Sequence, residues 1–178
     1  MSRWAVLVGQ SLGGHAALLT AAAHPELVRA LVPVEAGPGG RNPNERAGVG
    51  SWLDSWPTPF PSREAAAAFL GGGSVGAWAA GLEERADGWW PRFDLDVMVR
   101  SLSENAQCSF VHEWAQVVCP TLVVLARSGF ITSRVADEML RRRPATTAVT
   151  IPGAGHDLHL EQPEILHTVI SDFLMSLT

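Results

Sequence analysis

The stretch that decides the fold reads Trp4-Ala5-Val6-Leu7-Val8-Gly9-Gln10-Ser11-Leu12-Gly13, close to the start of the 178-residue chain. Its apolar run ends at Gly9 and is typical of a strand buried on both faces of a parallel sheet. Residues 12–23 are rich in Ala and Leu and stop before Pro25, which indicates a helix because proline cannot continue one. Residues 28–34 form a second strand-like run. Together these segments predict a strand, a tight turn, a helix and a strand, which is one βαβ unit.

The turn in this unit carries a motif for nucleophilic chemistry. Gly9-Gln10-Ser11-Leu12-Gly13 fits the pattern G-x-S-x-G and lies between the predicted strand and the predicted helix. In that position the pattern predicts a nucleophile elbow, where a sharp turn holds the serine strained and the flanking glycines leave room for the backbone. A serine that only caps the helix would explain Ser11 but not both glycines. We therefore predict that Ser11 is a nucleophile.

The second chemical motif comes near the end of the chain. The strand–helix alternation resumes after residue 117, with a strand predicted at 121–125, a helix at 133–143, a strand at 147–151 and a last helix opened by Pro163. Gly153-Ala154-Gly155-His156 follows the last of these strands. A serine needs an adjacent base to lose its proton near neutral pH, and a histidine on a glycine-containing loop can reach it. We predict His156 as this base, with His159 as the alternative; either histidine could instead bond only a loop carbonyl.

Three segments resemble the bacterial α/β-hydrolase superfamily. They are Val8-Gly9-Gln10-Ser11-Leu12-Gly13-Gly14, Cys119-Pro120-Thr121-Leu122-Val123-Val124, and Gly153-Ala154-Gly155-His156 through Glu161-Gln162-Pro163. The resemblance implies an α/β fold, with a parallel sheet of about four strands and flanking helices, as one domain over residues 1–178. It also implies that residues 37–117 form a small helical cap. The implied chemistry is serine acyl transfer to water without cofactor or metal, with the Leu12 N–H supporting the oxyanion.

The acid of such a triad is less obvious. Most members of that family carry an Asp on the loop after the strand predicted at 121–125, but here that loop reads Ala126-Arg127-Ser128-Gly129-Phe130. Some members carry the acid after the preceding strand, where this chain has Glu35. Adjacent parallel strands lie about 4.8 Å apart, so a carboxylate one strand from Ser11 could hold His156 and fix its tautomer. The resemblance thus implies Glu35 as the acid. Asp157 and Asp137 are alternatives, and Glu35 could instead bond loop amides.

Residues 37–117 break the strand–helix alternation. Gly and Pro cluster from 37 to 61, and six of the seven tryptophans fall in this segment. Helices are predicted at 62–70 and 94–105. We expect an insertion folded over the sheet, whose tryptophans either line an acyl or aryl pocket or form the core of the insertion. The expected substrate is a small molecule with an apolar moiety: an ester, a thioester or a lactone, with carbon–carbon bond hydrolysis as a further use of the same residues.

The composition excludes several kinds of partner. With 18 acidic and 13 basic residues the net charge is −5, which disfavours nucleic acid and anionic membranes. No apolar run approaches the ~20 residues that span a bilayer, and the run before Gly9 is too short for the core of a signal peptide. Cys108 and Cys119 lack metal-ligand spacing and are read as reduced thiols. We therefore expect a cytoplasmic protein.

The position of the elbow in the chain has further consequences. The resembled family has about four more strands before it, roughly 80–100 residues. We therefore expect that this chain lacks one of the two amides of the oxyanion hole and is weakly active by itself. The elbow strand is expected at an open sheet edge, which favours self-association. The alternative function is a non-catalytic fragment that binds a partner or a small ligand.

Overall fold

In a computed structural model of the chain, the residues described are 4–39, 50–71 and 76–177. They belong to two compact units: one comprises Met1–Arg41 with Cys108–Thr178, and the other comprises Asn42–Gln107. The strands are β1 (Ala5–Gln10), β2 (Val28–Val34), β3 (Glu83–Arg85), β4 (Gly88–Trp90), β5 (Leu122–Ala126) and β6 (Thr147–Ile151). The α-helices are α1 (Leu12–Ala23), α2 (Arg63–Phe69), α3 (Leu95–Gln107), α4 (Val111–Gln116), α5 (Ser133–Arg142), α6 (Leu158–Glu161) and α7 (Pro163–Met175).

The first unit is built on a four-stranded sheet in the order β1-β2-β5-β6. All three pairs of neighbouring strands are parallel. Strands β2 and β5 are the two central strands, and every residue of β5 is buried. Continuous apolar runs such as these are expected where helices cover both faces of a sheet. The predicted α/β fold with a four-stranded parallel sheet is therefore confirmed.

Alternate residues of the central strands enter two different cores. Leu31, Val123 and Leu125 pack with buried residues of α1, α4 and α5, among them Leu18, Trp114 and Met139. Val32, Val34, Leu122 and Val124 pack in a second cluster with Leu166 of α7. This alternation follows from the two-residue period of a strand, which points successive side chains to opposite faces. The two helical layers thereby fix the sheet from both sides.

Strand β1 lies at the edge of the sheet, as predicted. Val6 and Val8 are 38% and 50% exposed. The expectation that this run is buried on both faces is therefore wrong. Among the described residues β1 has a hydrogen-bonded neighbour on one side only, so nothing there shields its outer edge.

The second unit contains the predicted helices at slightly different bounds, as α2 and α3. It also contains a 3₁₀ helix, Ala77–Gly81, and the antiparallel hairpin β3–β4, neither of which the sequence analysis anticipated. The two-residue turn is Ala86-Asp87, and Gly88 begins β4. An Asp-Gly pair is common at hairpin turns, so Asp87-Gly88 was an available signal. Trp56 is buried in the hydrophobic core of this unit. Trp52, Trp78 and Trp89 are partly buried and pack against that core. These four tryptophans therefore help to form the core of the unit.

The segment 37–117, predicted to be one insertion, is divided between the two units. Helix α4 belongs to the first unit, where Trp114 is fully buried and its Nε1 donates to Met139 O at 2.9 Å. The role of residues 42–107 as a cap stays a prediction.

The structure also bears on two expectations from composition, the lack of a membrane span and the reduced state of the cysteines. None of the helices in the described ranges has the length and apolar character needed to cross a bilayer. Cys108 is exposed and Cys119 is buried, and both are free thiols. Burial raises the pKa of the Cys119 thiol, so this thiol stays protonated near neutral pH.

Candidate active site

Ser11 occupies the turn between β1 and α1 in a strained conformation. Its φ is 51° and its ψ is −121°, a region that residues with a side chain rarely adopt. The turn is held on both sides, because Ser11 N donates to Val34 O at 2.9 Å and Ser11 O accepts from His15 N at 3.0 Å. The Ser11 side chain makes no capping bond to the helix. Ser11 thus occupies the N-cap position without capping the helix through its side chain, and its role as nucleophile stays a prediction.

Two glycines allow this turn to close, and one of them lies outside the quoted pentapeptide. A Cβ on Gly9 would lie 2.6 Å from Gly14 N and would overlap the Gly13 carbonyl. A Cβ on Gly14 would lie 2.6 Å from the Ala36 Cβ. A Cβ on Gly13 would meet nothing within 4 Å. Close approach of strand and helix thus requires Gly9 and Gly14, whereas the motif had suggested Gly9 and Gly13.

The Leu12 amide is available at the start of α1. The first N–H groups of a helix have no carbonyl partner within it and lie at its positive end. Among the described residues, Leu12 N–H donates no hydrogen bond outside the helix. Such a group next to Ser11 can bind negative charge that develops on a carbonyl oxygen.

Glu35 lies directly after β2 and is buried, with 2% of its surface exposed. Its φ is 46°, again a strained value. The carboxylate accepts two backbone hydrogen bonds, at Oε1 from Ala126 N at 2.6 Å and at Oε2 from Phe130 N at 2.9 Å. A buried charge is tolerated only with such partners. Glu35 therefore bonds loop amides, as one reading of the sequence expected, and it also faces a histidine; its role as the acid stays a prediction.

The loop after β5 has no carboxylate of its own, yet it holds the carboxylate of Glu35. Its backbone supplies the amides of Ala126 and Phe130. A Cβ on Gly129 would collide with the Glu35 carboxylate. This role of Gly129 was not predicted, because its signal in the sequence is no more than a glycine in the loop.

The histidine that faces Glu35 is His156. Its Nδ1 lies 3.5 Å from Glu35 Oε2. This separation is within ion-pair range but too long for a hydrogen bond, so Nδ1 is a buried nitrogen without a hydrogen-bond partner. The ring packs against Phe130 with centroids 4.3 Å apart. His159, the alternative base, is exposed on α6.

The loop of His156 is tied down at three points. Gly155 N donates to Glu161 Oε2 at 2.6 Å, and Ser128 N donates to Ala154 O at 3.1 Å. Gln10 Nε2 donates to the carbonyl oxygen of His156 itself at 3.0 Å. The last bond brings the base loop beside the residue that precedes Ser11. The roles of Gln10 and Glu161 had no recognisable signal in the sequence.

The other predicted site groups are the Ser11 hydroxyl and the alternative acids Asp137 and Asp157. The Ser11 hydroxyl makes no hydrogen bond within the described part of the chain, so its contact with His156 stays a prediction. Asp137 is exposed on α5. Asp157 is buried, and its Oδ1 has no hydrogen-bond partner. Of the three candidate acids, Glu35 is the one recorded in ion-pair contact with His156.

The fold agrees with the comparisons to known proteins. The sequence profile of the alpha/beta hydrolase family matches residues 4–168, so the chain belongs to that family. Over 96% of its length the chain is 29% identical to a 2-(acetamidomethylene)succinate hydrolase of Mesorhizobium japonicum, of which it covers 64%. It is 26% identical to the sn-1-specific diacylglycerol lipase ABHD11 of Mus musculus, covering 95% of this chain and 58% of the lipase.

A solved structure shows the same fold. The crystal structure of an E-2-(acetamidomethylene)succinate hydrolase superposes with a TM-score of 0.86 at 23% identity, over 96% of this chain and 66% of that one. The chain spans less than two thirds of the length of the two curated relatives, 64% and 58%. The fold is thus a partial alpha/beta hydrolase fold relative to these longer proteins, and the relatives are hydrolases.

Proposed function

We propose that this chain is the serine-bearing part of a hydrolase, with Ser11 as nucleophile, His156 as general base and Glu35 as the acid. The observation that carries the proposal is the buried Glu35 carboxylate, which accepts two loop amides and faces His156 Nδ1 at 3.5 Å. Ser11 lies on a strained turn whose preceding residue bonds the His156 backbone. Nucleophile, acid and base, at positions 11, 35 and 156, follow the chain order expected of this fold.

The geometry supports an acyl-transfer reaction. Ser11 Oγ attacks the carbonyl carbon of the substrate while Nε2 of His156 accepts the hydroxyl proton. The Leu12 N–H stabilises the oxyanion of the tetrahedral intermediate. His156 then gives the proton to the leaving group, and water, activated by the same histidine, releases the acyl group from Ser11. Glu35 stabilises the imidazolium, because the two hydrogen bonds from backbone amides keep its carboxylate fixed beside Nδ1 of His156.

The proposed substrates are esters, thioesters or lactones with an apolar moiety. One curated relative is a hydrolase of a succinate derivative and another is a diacylglycerol lipase, so this family acts on carbonyl compounds of different size. Hydrolysis of a carbon–carbon bond would use the same three residues. Within the described residues the proposed oxyanion donor is the Leu12 N–H, and removal of such a donor costs on the order of 10²–10³-fold in rate.

An activity-based probe tests the nucleophile directly. A fluorophosphonate should label the folded chain at Ser11, because the probe reacts only with an activated serine. Ser11→Ala should abolish labelling, as read by intact-protein mass spectrometry. Ser128→Ala, which removes an exposed hydroxyl from the loop after β5, is the matched control and should label normally. Folded wild-type protein that does not label would favour the alternative of a non-catalytic binding module.

The acid is tested by Glu35→Gln, which keeps the shape of the side chain and removes its charge. The second-order rate constant of labelling should fall on the order of 10³–10⁴-fold, because an amide neither fixes the tautomer of His156 nor stabilises its cation. Glu138→Gln, on an exposed face of α5, should leave the rate unchanged. An unaltered rate in Glu35→Gln would remove Glu35 from the mechanism.

A further inference from the structure

Gln10 joins the two halves of the proposed site. It is the last residue of β1, immediately before Ser11, and its side chain is partly buried. Its Nε2 donates to His156 O at 3.0 Å, across 146 positions of the sequence. The bond therefore connects the nucleophile elbow to the loop that carries the base.

The hydrogen bond from Gln10 is made to the backbone carbonyl of His156 itself. The neighbouring ties of the loop act at Ala154 O, at Gly155 N and, after the histidine, at Asp157 O, which accepts from Leu160 N and Glu161 N. Among the described residues, no other hydrogen bond reaches the backbone of His156. The position of the His156 Cα along the loop thus depends on Gln10.

The position of this Cα matters because the imidazole must face two groups at once. Its Nδ1 already lies 3.5 Å from Glu35 Oε2, at the limit of a productive contact. A displacement of the loop by a fraction of an ångström would decide whether this contact closes, and misplacement of a catalytic group by about 1 Å can cost 10²-fold in rate. A tie that starts on the residue before Ser11 fixes the base relative to the nucleophile.

We propose that Gln10 is a positioning residue of the hydrolase: through the carbonyl of His156 it sets the base against Ser11 and Glu35. This inference rests on the proposed function, because it assigns Gln10 a part in the same reaction. The requirement is for an N–H donor of this reach. Methionine has a similar length and apolar volume but no donor, whereas histidine has a ring N–H.

Labelling kinetics with the fluorophosphonate separate positioning from folding. In Gln10→Met the limiting rate of labelling at saturating probe should fall on the order of tenfold, with the half-saturating probe concentration and the Tm unchanged. Gln10→His should recover part of the rate. Gln116→Met makes the same exchange on the exposed side of α4, where, among the described residues, the glutamine side chain hydrogen-bonds only to His112, and should behave like the wild type. A Gln10→Met protein that labels at the wild-type rate would overturn the proposal.

Amide hydrogen exchange tests the tie without any chemistry at Ser11. Peptides covering 153–159 should exchange faster in Gln10→Met than in the wild type or in Gln116→Met. Equal exchange in all three proteins would show that Gln10 does not hold the loop. If the wild type does not label but the exchange differs, the proposed function fails while the tie remains, and Gln10 then has no positioning role in catalysis.

Discussion

Glu35 shows how one residue can be buried, charged and strained and still be well placed. The cost of burying its carboxylate is offset by two backbone donors and a neighbouring imidazole. Its positive φ changes the direction of the chain at the end of β2, and its side chain contacts the loop after β5. Gly129 is the complementary feature, since any side chain there would occupy the space of the carboxylate. Gly129 therefore leaves the space that the Glu35 carboxylate occupies.

Gly129→Ala should displace the Glu35 carboxylate and break its bonds to the Ala126 and Phe130 amides. We expect labelling of Ser11 to slow to about the level of Glu35→Gln, and the double variant to be no slower than the slower single variant, because residues that act as a unit are not additive. The measurement is the labelling rate constant in all three proteins. Ser128→Ala is the neighbouring control. Additive losses in the double variant would mean that the two residues act independently.

Among the elements, the end of β1 and the first turn of α1 are in close contact at the turn that carries Ser11. The helix starts so close to the strand that the backbone of Gly13 and Gly14 lies against Gly9, and Ala36 closes the other side of Gly14. This close packing holds Ser11 at its strained φ, since the surrounding contacts leave the turn no relaxed alternative. The strain is therefore maintained by the junction and not by Ser11 itself.

The adjacent Gly13 and Gly14 at the start of α1 should respond differently to the same substitution. Gly14→Ala should destabilise the protein by about 1–3 kcal/mol, because its Cβ meets the Ala36 Cβ and backbone that cannot move away. Gly13→Ala should change stability by less than about 1 kcal/mol, since its Cβ points into open space on a helix. Urea unfolding followed by circular dichroism measures both. Equal losses would mean that the junction is looser than the contacts imply.

At the scale of the whole molecule, the first unit ends in an open strand edge. On one face of β1 the side chains of Trp4, Val6 and Val8 are all exposed. Unpaired strand edges of this kind readily pair with other chains. The chain spans less than two thirds of the length of its curated relatives, so the proposed activity is best compared with that of such longer hydrolases.

Self-association through β1 is the expected consequence of this edge. Sedimentation velocity of the wild type should show a mass that rises with concentration, and Val8→Lys should reduce it, because a charge on an edge strand opposes pairing. Val118→Lys is the matched control, since Val118 is 74% exposed but lies outside the sheet. A wild-type protein that stays monomeric at all concentrations would contradict the prediction.

Local patterns in the sequence predicted most elements of the first unit and are the basis of the proposed chemistry. Helix α1 and strands β2 and β6 have the predicted bounds, because apolar periodicity, glycine and proline act within a few residues. The hairpin β3–β4 was missed, because its strands are only three residues long and carry little periodicity. The motif around Ser11 was recognisable for the same local reason.

The contacts between residues that lie far apart in the sequence are set by the tertiary structure. The amides that hold Glu35 lie 91 and 95 positions away, and the carbonyl that Gln10 bonds lies 146 positions away. These contacts depend on which strands pair, on their register and on the direction of single N–H groups, none of which leaves a pattern in the residues involved. The residue types at the site were therefore readable from the sequence, whereas their partners were set by the packing of the sheet.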